Sequence, residues 1–428
     1  MKNKPNKKNR VSRRSFLKTS AAASLAAATF DTSRIFAAGS DKIRVGLIGC
    51  GGRGSGAAKD CVKSSENVEI VAMGDVFENR LNSSLAKLSM EIDDKVSVTR
   101  DSCFVGFDAY EKVIAADVDL VILATPPHFR PMHLKAAIQA GKHVFMEKPV
   151  AVDPVGVRSV IKSSELAEHK RLGIVAGTQR RHQDHYLQVM KRIHEGEIGE
   201  IVAAQCYWNQ DGLWVKKPRP DWSDMEWQCR NWLYFTWLSG DHICEQHVHN
   251  IDVVNWAIGA HPVQAMGMGG REVRTAPEYG NIFDHFSVEY EYPGGVRVLS
   301  MCRQIDGTST RVAERIVGTK GVADTNGSTA SIEGQNPFNY EGKSPNPYIQ
   351  EHADLIASIR KGRPLNEGRR IAESTMTAII GRMSAYTGRA LKWDWAMNAS
   401  KLDLSPEKYE FGDLPVRPVA VPGKTKLI

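Results

Sequence analysis

The stretch Ile43-Arg44-Val45-Gly46-Leu47-Ile48-Gly49-Cys50-Gly51-Gly52-Arg53-Gly54 decides the fold. Ile43, Val45, Leu47 and Ile48 around a small Gly46 read as a short buried strand. Gly49-x-Gly51-x-x-Gly54 follows at once, and Ser55-Gly56-Ala57-Ala58 opens a helical run. In that setting Gly49 makes the tight turn. Gly51, with Gly52 beside it, lets the backbone approach a diphosphate, and Gly54 lets the helix pack on the strand. The helix start adds unpaired N–H groups and a positive dipole end. A second strand, Val68 to Gly74, ends at Asp75, roughly twenty residues on, where a carboxylate meets an adenosine ribose. Asp75 repels a 2′-phosphate and so favours NAD, while nearby Arg80 keeps NADP open. A lone glycine pattern among 36 glycines is weak, but here both flanks fit a dinucleotide site.

From Lys42 to about Thr178, strands and helices alternate. A helix is expected over 78–92, a strand-helix unit around 108–114, and a buried strand from Val118 ended by Pro126-Pro127. A helix over 129–140, strand 142–146, helix 154–170 and strand 172–176 follow. This order predicts parallel strands with right-handed crossovers, open to ligand at their carboxyl ends. The second half has another grammar. Helix 185–195 and a strand from Ile198 lead into residues 206–238, an irregular lid or pocket wall with six of the nine tryptophans. A helix over 241–258 comes next. Period-two alternation over 263–269, 286–292 and 296–301 predicts an antiparallel sheet with a hairpin turn at Pro293-Gly294-Gly295. A further hairpin turns at Thr319-Lys320-Gly321, residues 323–346 read as loop, and helices 348–361 and 369–387 close the fold. The expected division is 1–38 signal segment, 39–178 dinucleotide-binding domain, 179–401 substrate and oligomerisation domain, and 402–428 a tail wrapping the surface.

The net charge of +7 is local. Residues 1–38 hold nine Lys/Arg against Asp31, a net of +8, so the rest sums to −1. That removes the charge argument for a nucleic-acid or acidic-membrane partner. No apolar run approaches the ~18 residues of a membrane span. Ser12-Arg13-Arg14-Ser15-Phe16-Leu17-Lys18, a weakly apolar run from Ala21 to Phe30, and small residues at Ala37-Ala38 resemble a twin-arginine export signal. That resemblance implies export of a folded protein to the periplasm or cell surface, with the translocation machinery as partner and the cofactor carried along. Seven scattered cysteines form no C-x-x-C pair and no disulfide framework.

Four motifs make the chain resemble the Gfo/Idh/MocA oxidoreductases over about residues 42–390. They are the glycine turn, Ala124-Thr125-Pro126-Pro127-His128, Gly141-Lys142-His143-Val144-Phe145-Met146-Glu147-Lys148-Pro149, and Glu245-x-x-x-His249-x-x-Asp252. The resemblance implies a Rossmann domain followed by an α/β domain whose mostly antiparallel open sheet often joins subunits into a homo-oligomer. It also implies NAD(P)-dependent oxidation or reduction of a sugar or cyclitol hydroxyl.

Within that frame, Lys148 at a strand end is expected to hold the reacting oxygen and stabilise alkoxide charge. His249 is the expected general base and acid. On one helix, His242, Glu245, His249 and Asp252 share a stripe about 80° wide at ~100° per residue. Glu245, where the family more often has aspartate, binds a substrate hydroxyl or orients His249, and Asp252 holds the imidazole. Thr125 and Pro126 are expected at the nicotinamide ribose and Arg53 over the diphosphate or adenine, with His128 and Glu147 joining the cofactor set. Gln179, Arg180, Arg181, His242 and Asp284 are the substrate candidates, and the tryptophans of 208–237 offer sugar-stacking faces. A competing idea gathers His242, Cys244, Glu245, His247 and His249 on a metal ion. The spacing lacks the H-E-x-x-H form and the family normally needs no metal, so none is expected. The leading expectation is an exported sugar oxidoreductase with tightly held NAD. The alternative is an NAD-dependent glycosidase using transient ring oxidation, although that group departs from Glu-Lys-Pro. A non-catalytic binding protein is a third reading.

Overall fold

The computed structural model describes residues 41–428. The twin-arginine stretch lies outside the described residues.

The first sheet holds six parallel strands: β1 Ile43–Ile48, β2 Val68–Asp75, β3 Cys103–Val105, β4 Leu120–Leu123, β5 His143–Met146 and β6 Ile174–Ala176. Their order is β3-β2-β1-β4-β5-β6, so the chain reverses direction beside β1 and opens a crevice at the carboxyl ends. Both faces are covered, which is why β1, β4 and β5 read as continuous apolar runs. The crossover helices are bounded by local chemistry. Helix Pro154–Lys170 starts at Asp153, whose Oδ1 accepts from the Gly156 N–H at 2.7 Å, and has proline in its first turn.

The second sheet holds nine strands: β7 Ile201–Gln210, β8 Gln264–Gly270, β9 His285–Glu291, β10 Arg297–Gln304, β11 Arg311–Gly318, β12 Gly321–Asn326, β13 Ala330–Gly334, β14 Phe338–Asn339 and β15 Leu391–Lys392. The order is β14-β13-β12-β11-β7-β10-β9-β8-β15, antiparallel except for the β7–β10 pair. Helices Val248–Ile258 and Gly368–Thr387 pack on this sheet and bury its inner side chains, including Phe286, Val288, Tyr290 and Val298. Met266, Met268, Leu299 and Met301 project from the other side and are exposed. Helix Pro347–Arg360 packs back on helix Gly52–Ser64, and helix Gly368–Thr387 packs on Pro154–Lys170.

Three expectations need correcting. Residues 206–238 are not irregular throughout: β7 runs on to Gln210, and helices Asp224–Arg230 and Thr236–Ser239 follow. Residues 323–346 contain β13 and β14, because antiparallel pairing of β13 with β12 and of β14 with β13 supplies the order that a Gly/Ser/Asn-rich composition does not advertise. The single helix over 241–258 is two pieces, His242–Glu245 and Val248–Ile258. Gln246 and His247 turn towards β10, where Gln304 Nε2 donates to Gln246 Oε1 at 3.0 Å and Ser300 Oγ lies 2.7 Å from His247 Nε2.

Candidate active site

A cavity of about 910 Å³ opens at the carboxyl edge of the first sheet. Gly49, Gly51, Gly52, Arg53, Asp75, Thr125 and Pro126 all line it. The glycines fit a dinucleotide for steric reasons. Gly49 has φ +97° and a Cβ there would lie 2.6 Å from Thr125 N; a Cβ on Gly54 would lie 1.8 Å from the Gly49 carbonyl oxygen. Gly52 faces open space, and Gly51 caps helix Gly52–Ser64 without any side-chain hydrogen bond. The first-turn N–H groups are thus left for a phosphate.

Asp75 sits at the end of β2 with its carboxylate turned into the loop. Oδ2 accepts from the Cys50 N–H at 2.7 Å and Oδ1 from the Phe77 N–H at 2.8 Å. Burial raises its pKa, and these two bonds work against the rise. Each oxygen keeps lone pairs for a ribose hydroxyl. Arg80 lines the same cavity, with its guanidinium close above Gly51. The far wall comes from the second half of the chain: Trp214, Lys216, Arg219, Trp222, Arg230 and Trp232. Three of the expected tryptophans therefore form a wall of the dinucleotide cavity. Trp227 and Trp237 instead pack in the core, in the same apolar cluster as Phe235.

Arg53 does not stand free over a diphosphate. Its Nε donates to Glu147 Oε1 at 2.5 Å, Nη2 reaches Glu351 Oε1 at 3.4 Å, Nη1 is 3.6 Å from Asp60, and the guanidinium lies 4.9 Å from the Tyr348 ring centre. Glu147 is accordingly a tether for Arg53, packed against Gly177, and does not line the cavity. His128 is a correction as well. It is buried, shares a hydrogen bond of 2.8 Å with Tyr409 of the tail, and meets Trp237 edge-on. Burial lowers its pKa to about 4, so it is a neutral packing residue.

Lys148, one residue past Glu147, is turned to Glu245: Nζ donates to the Glu245 carbonyl oxygen and lies 3.4 Å from Oε1. The Lys148–Pro149 peptide is cis. His249 is stacked on Trp208, ring centres 5.7 Å apart and planes at 20°, and its Nδ1 is buried without a hydrogen-bond partner. Burial first, then the charges of Lys148, Arg180 and Arg53, push its pKa well below the ordinary imidazole value. The imidazole is therefore neutral. Lys148 follows the carboxyl end of β5, and neither it nor His249 is part of the lining of the dinucleotide cavity.

The rest of the expected stripe is dispersed. Asp252 does not hold His249; its carboxylate takes Arg181 Nε at 2.7 Å and Nη2 at 2.8 Å, plus Ser374 Oγ at 2.7 Å. His242 is bonded to Asp241 at 2.9 Å and packed on Phe286. His247 pairs with Ser300, so these histidines do not converge on an ion, and among the described residues no His/Cys/Asp/Glu cluster of metal-binding form occurs. Asp284 is fully buried and accepts from the N–H groups of Glu272, Val273 and Arg274, which makes it a loop anchor. Arg180 is buried against Glu314 at 2.5 Å and over Trp208, and Arg181 is consumed by Asp252. Gln179 alone of the three stays exposed on its amide side, 3.4 Å from Tyr348 Oη.

Sequence reasoning missed Glu314, Tyr348 and Glu351, and it read Trp208 as a sugar-stacking face where the ring stacks on His249. Glu314 gathers Arg180, Asn250, Tyr186 and Thr325 and so fixes the shelf under His249. Its signal was a carboxylate at an inward position of an alternating strand. Glu351 and His352, both fully buried on a helix that otherwise buries Leu355, Ile356 and Ile359, were a similar hint. All seven cysteines are free.

A parallel-sheet dinucleotide crevice joined to a mostly antiparallel second sheet defines a two-part dehydrogenase-like architecture. Residues 43–177 match the family model described as "Oxidoreductase family, NAD-binding Rossmann fold", and residues 186–324 match the GFO/IDH/MocA C-terminal domain. The chain belongs to the Gfo/Idh/MocA oxidoreductase family. It is 30% identical over 178 residues to 2,7-anhydro-N-acetylneuraminate hydratase of Escherichia coli (strain K12), a match covering 42% of this chain and 44% of that protein, less than half its length. It is 24% identical over 332 residues to an inositol 2-dehydrogenase of Rhizobium meliloti, covering 75% of this chain and 89% of that one. The aldose-aldose oxidoreductase of Caulobacter crescentus, solved with glycerol, has the same fold at a TM-score of 0.65 and 17% identity, covering 82% and 99%.

Proposed function

We propose that this protein is an exported NAD-dependent oxidoreductase that interconverts a hydroxyl and a ketone on a sugar, cyclitol or glycoside. The observation that carries the reading is the placement of Lys148 on Glu245, one residue from the Glu147 that tethers the glycine loop through Arg53, with a neutral His249 that feels the Lys148 charge. When bound along Gly49–Gly54, Asp75, Thr125 and Pro126, the dinucleotide supplies a hydride acceptor or donor. The Lys148 ammonium leaves Glu245 to hold the substrate oxygen and stabilises negative charge on it. His249 takes the hydroxyl proton during oxidation and returns it during reduction. Trp208 keeps the ring in plane for that transfer. The inositol 2-dehydrogenase relative supports a cyclitol or sugar hydroxyl as the reacting group, and the aldose-aldose oxidoreductase neighbour supports hydride kept on one cofactor between two sugars.

The aromatic wall of Trp214, Trp222 and Trp232 along the cavity supports tight retention of the cofactor, with NAD favoured by Asp75 and NADP admitted by Arg80. Export rests on Ser12–Lys18, with 39–178 and 179–401 as the cofactor and substrate halves and 402–428 as a strap. The exposed Met266, Met268, Leu299 and Met301 support a homo-oligomer through the open sheet face. The deciding experiment records absorbance at the reduced-nicotinamide band of purified protein before and after adding inositols, aldoses and glycosides. A ketone product with a growing band is expected. Silence with every polyol would defeat the reading, and aglycone release without net reduced cofactor would assign glycosidase chemistry. Arg13→Lys with Arg14→Lys is expected to hold the protein in the cytoplasm on cell fractionation. Met268→Glu with Met301→Glu is expected to yield monomers in sedimentation.

A further inference from the structure

A second cavity of about 310 Å³ lies away from the dinucleotide site, between helix Gly368–Thr387, helix Thr236–Ser239 and the tail. Trp237, Met383, Leu402, Leu404, Val419 and Leu427 give it an apolar body. Its charged side chains are Arg382, Arg417 and Lys426; Ile428 lines it too, with its carbonyl end held by Ser400 Oγ at 2.6 Å.

Arg382 is the unusual one. It is 1% exposed, yet among the described residues it stands in no ion pair. Nη1 donates to the Gly240 carbonyl oxygen at 3.0 Å, and the guanidinium lies 5.8 Å from the Tyr386 ring centre. Asp403, between the lining residues Leu402 and Leu404, accepts from the Ser405 N–H and faces Arg417 electrostatically, while the carboxylates nearer Arg382 are turned elsewhere. Asp153 accepts from the N–H groups of Gly156 and Leu404, and Asp241 from those of His242 and Phe283 and from Tyr386 Oη. A buried cation without a counter-ion is costly, and here it borders empty space of small-molecule size. A fully hydrated anion such as phosphate would satisfy the guanidinium but leave the apolar walls uncovered.

We propose that this cavity binds a small monocarboxylate with an apolar body. The carboxylate sits on Arg382, with Arg417 and Lys426 adding positive potential, and the hydrocarbon or aromatic part lies against Trp237, Met383 and Leu404. Because Arg382 also holds the Gly240 carbonyl, an occupant bears on the segment Gly240–Glu245, whose last residue receives Lys148.

The test is calorimetric titration of the full chain, saturated with NAD, with octanoate and with benzoate, and with octan-1-ol as the uncharged counterpart. Saturable one-to-one binding of a carboxylate is expected, with the alcohol at least about tenfold weaker. Leu404→Trp, which fills the cavity, is expected to abolish it. Arg417→Met, nearer the surface, is expected to weaken it by about threefold to tenfold while leaving the fold intact. Arg382→Met removes binding if the variant folds; if it does not, the other two variants decide. No saturable binding by either acid, equal binding of the alcohol, or unchanged binding in Leu404→Trp overturns the proposal.

Discussion

The glycine turn Gly49–Gly54 and the segment Asp241–Asp252 carry comparable shares of the expected chemistry, but they obey different rules. In the turn, strand before and helix after set most of the roles, with a Cβ at Gly54 excluded by the Gly49 carbonyl at 1.8 Å, and Gly49 also answers to a distant neighbour, the Ala124–Thr125 backbone. In the segment, helical periodicity predicts one shared face, and contacts from β10 break the helix at Gln246 and His247. Periodicity is a good guide where nothing outside the element competes for its polar groups. It fails where a buried glutamine and histidine find partners across a sheet.

Four measurements bear on that contrast. Gly54→Ala is expected to have the largest effect, on the order of 4 kcal/mol or more in stability, since backbone must move to admit the methyl group. Chemical denaturation and dinucleotide titration check it, and a variant that keeps both properties would break the steric account. Lys148→Met and His249→Asn are next, each lowering kcat by roughly 10²- to 10⁴-fold with dinucleotide affinity retained. Steady-state kinetics beside a binding titration separates the two effects.

Arg181→Met strands Asp252 and is expected to destabilise the fold by about 3–5 kcal/mol. The folded fraction should keep an unshifted pH profile of kcat. A shifted profile would restore Asp252 as the partner of His249, as the uninterrupted stripe implies. The smallest effect per group is on acid stability. Burial lowers His128 and His143 to about 4 and His133 and His247 to about 3. Their contribution is whole above the unfolded histidine pKa of about 6.5 and is lost as pH falls below it, about 1.4 kcal/mol per group in the first unit. His182 runs the other way. Burial would lower it, but Asp354 and Glu367 outweigh burial and raise it to about 9, so its contribution is whole below about 6.5 and is lost as pH rises through 9. Unfolding midpoints measured across pH should therefore fall on both sides of neutrality.

Much of the first sheet was legible because its strands are buried on both faces and its helices carry their own end signals. The helix boundaries at Glu78–Ile92 and Pro154–Lys170 agree with the sequence reading residue for residue. The hairpins β9–β10 and β11–β12 were legible from alternation and turn residues. The site was less so. Asp75, Thr125 and Pro126 line the cavity as expected, while Asp252, Asp284, Arg180, Arg181, His242 and His128 turned out to be fasteners. A polar residue type in a cleft-forming segment shows only that it needs a partner.

The amino-acid sequence alone determined the parallel sheet, the glycine turn and the family motifs, because each arises from hydrophobic runs and backbone sterics within a few residues. Tertiary packing decided which charged side chains remain available. Arg53 became tied to Glu147 and Glu351, Arg181 to Asp252 and Arg180 to Glu314, across separations in the chain that no local pattern encodes. Pairing of buried charges minimises the number left without partners, and that minimum exists only once distant elements have met.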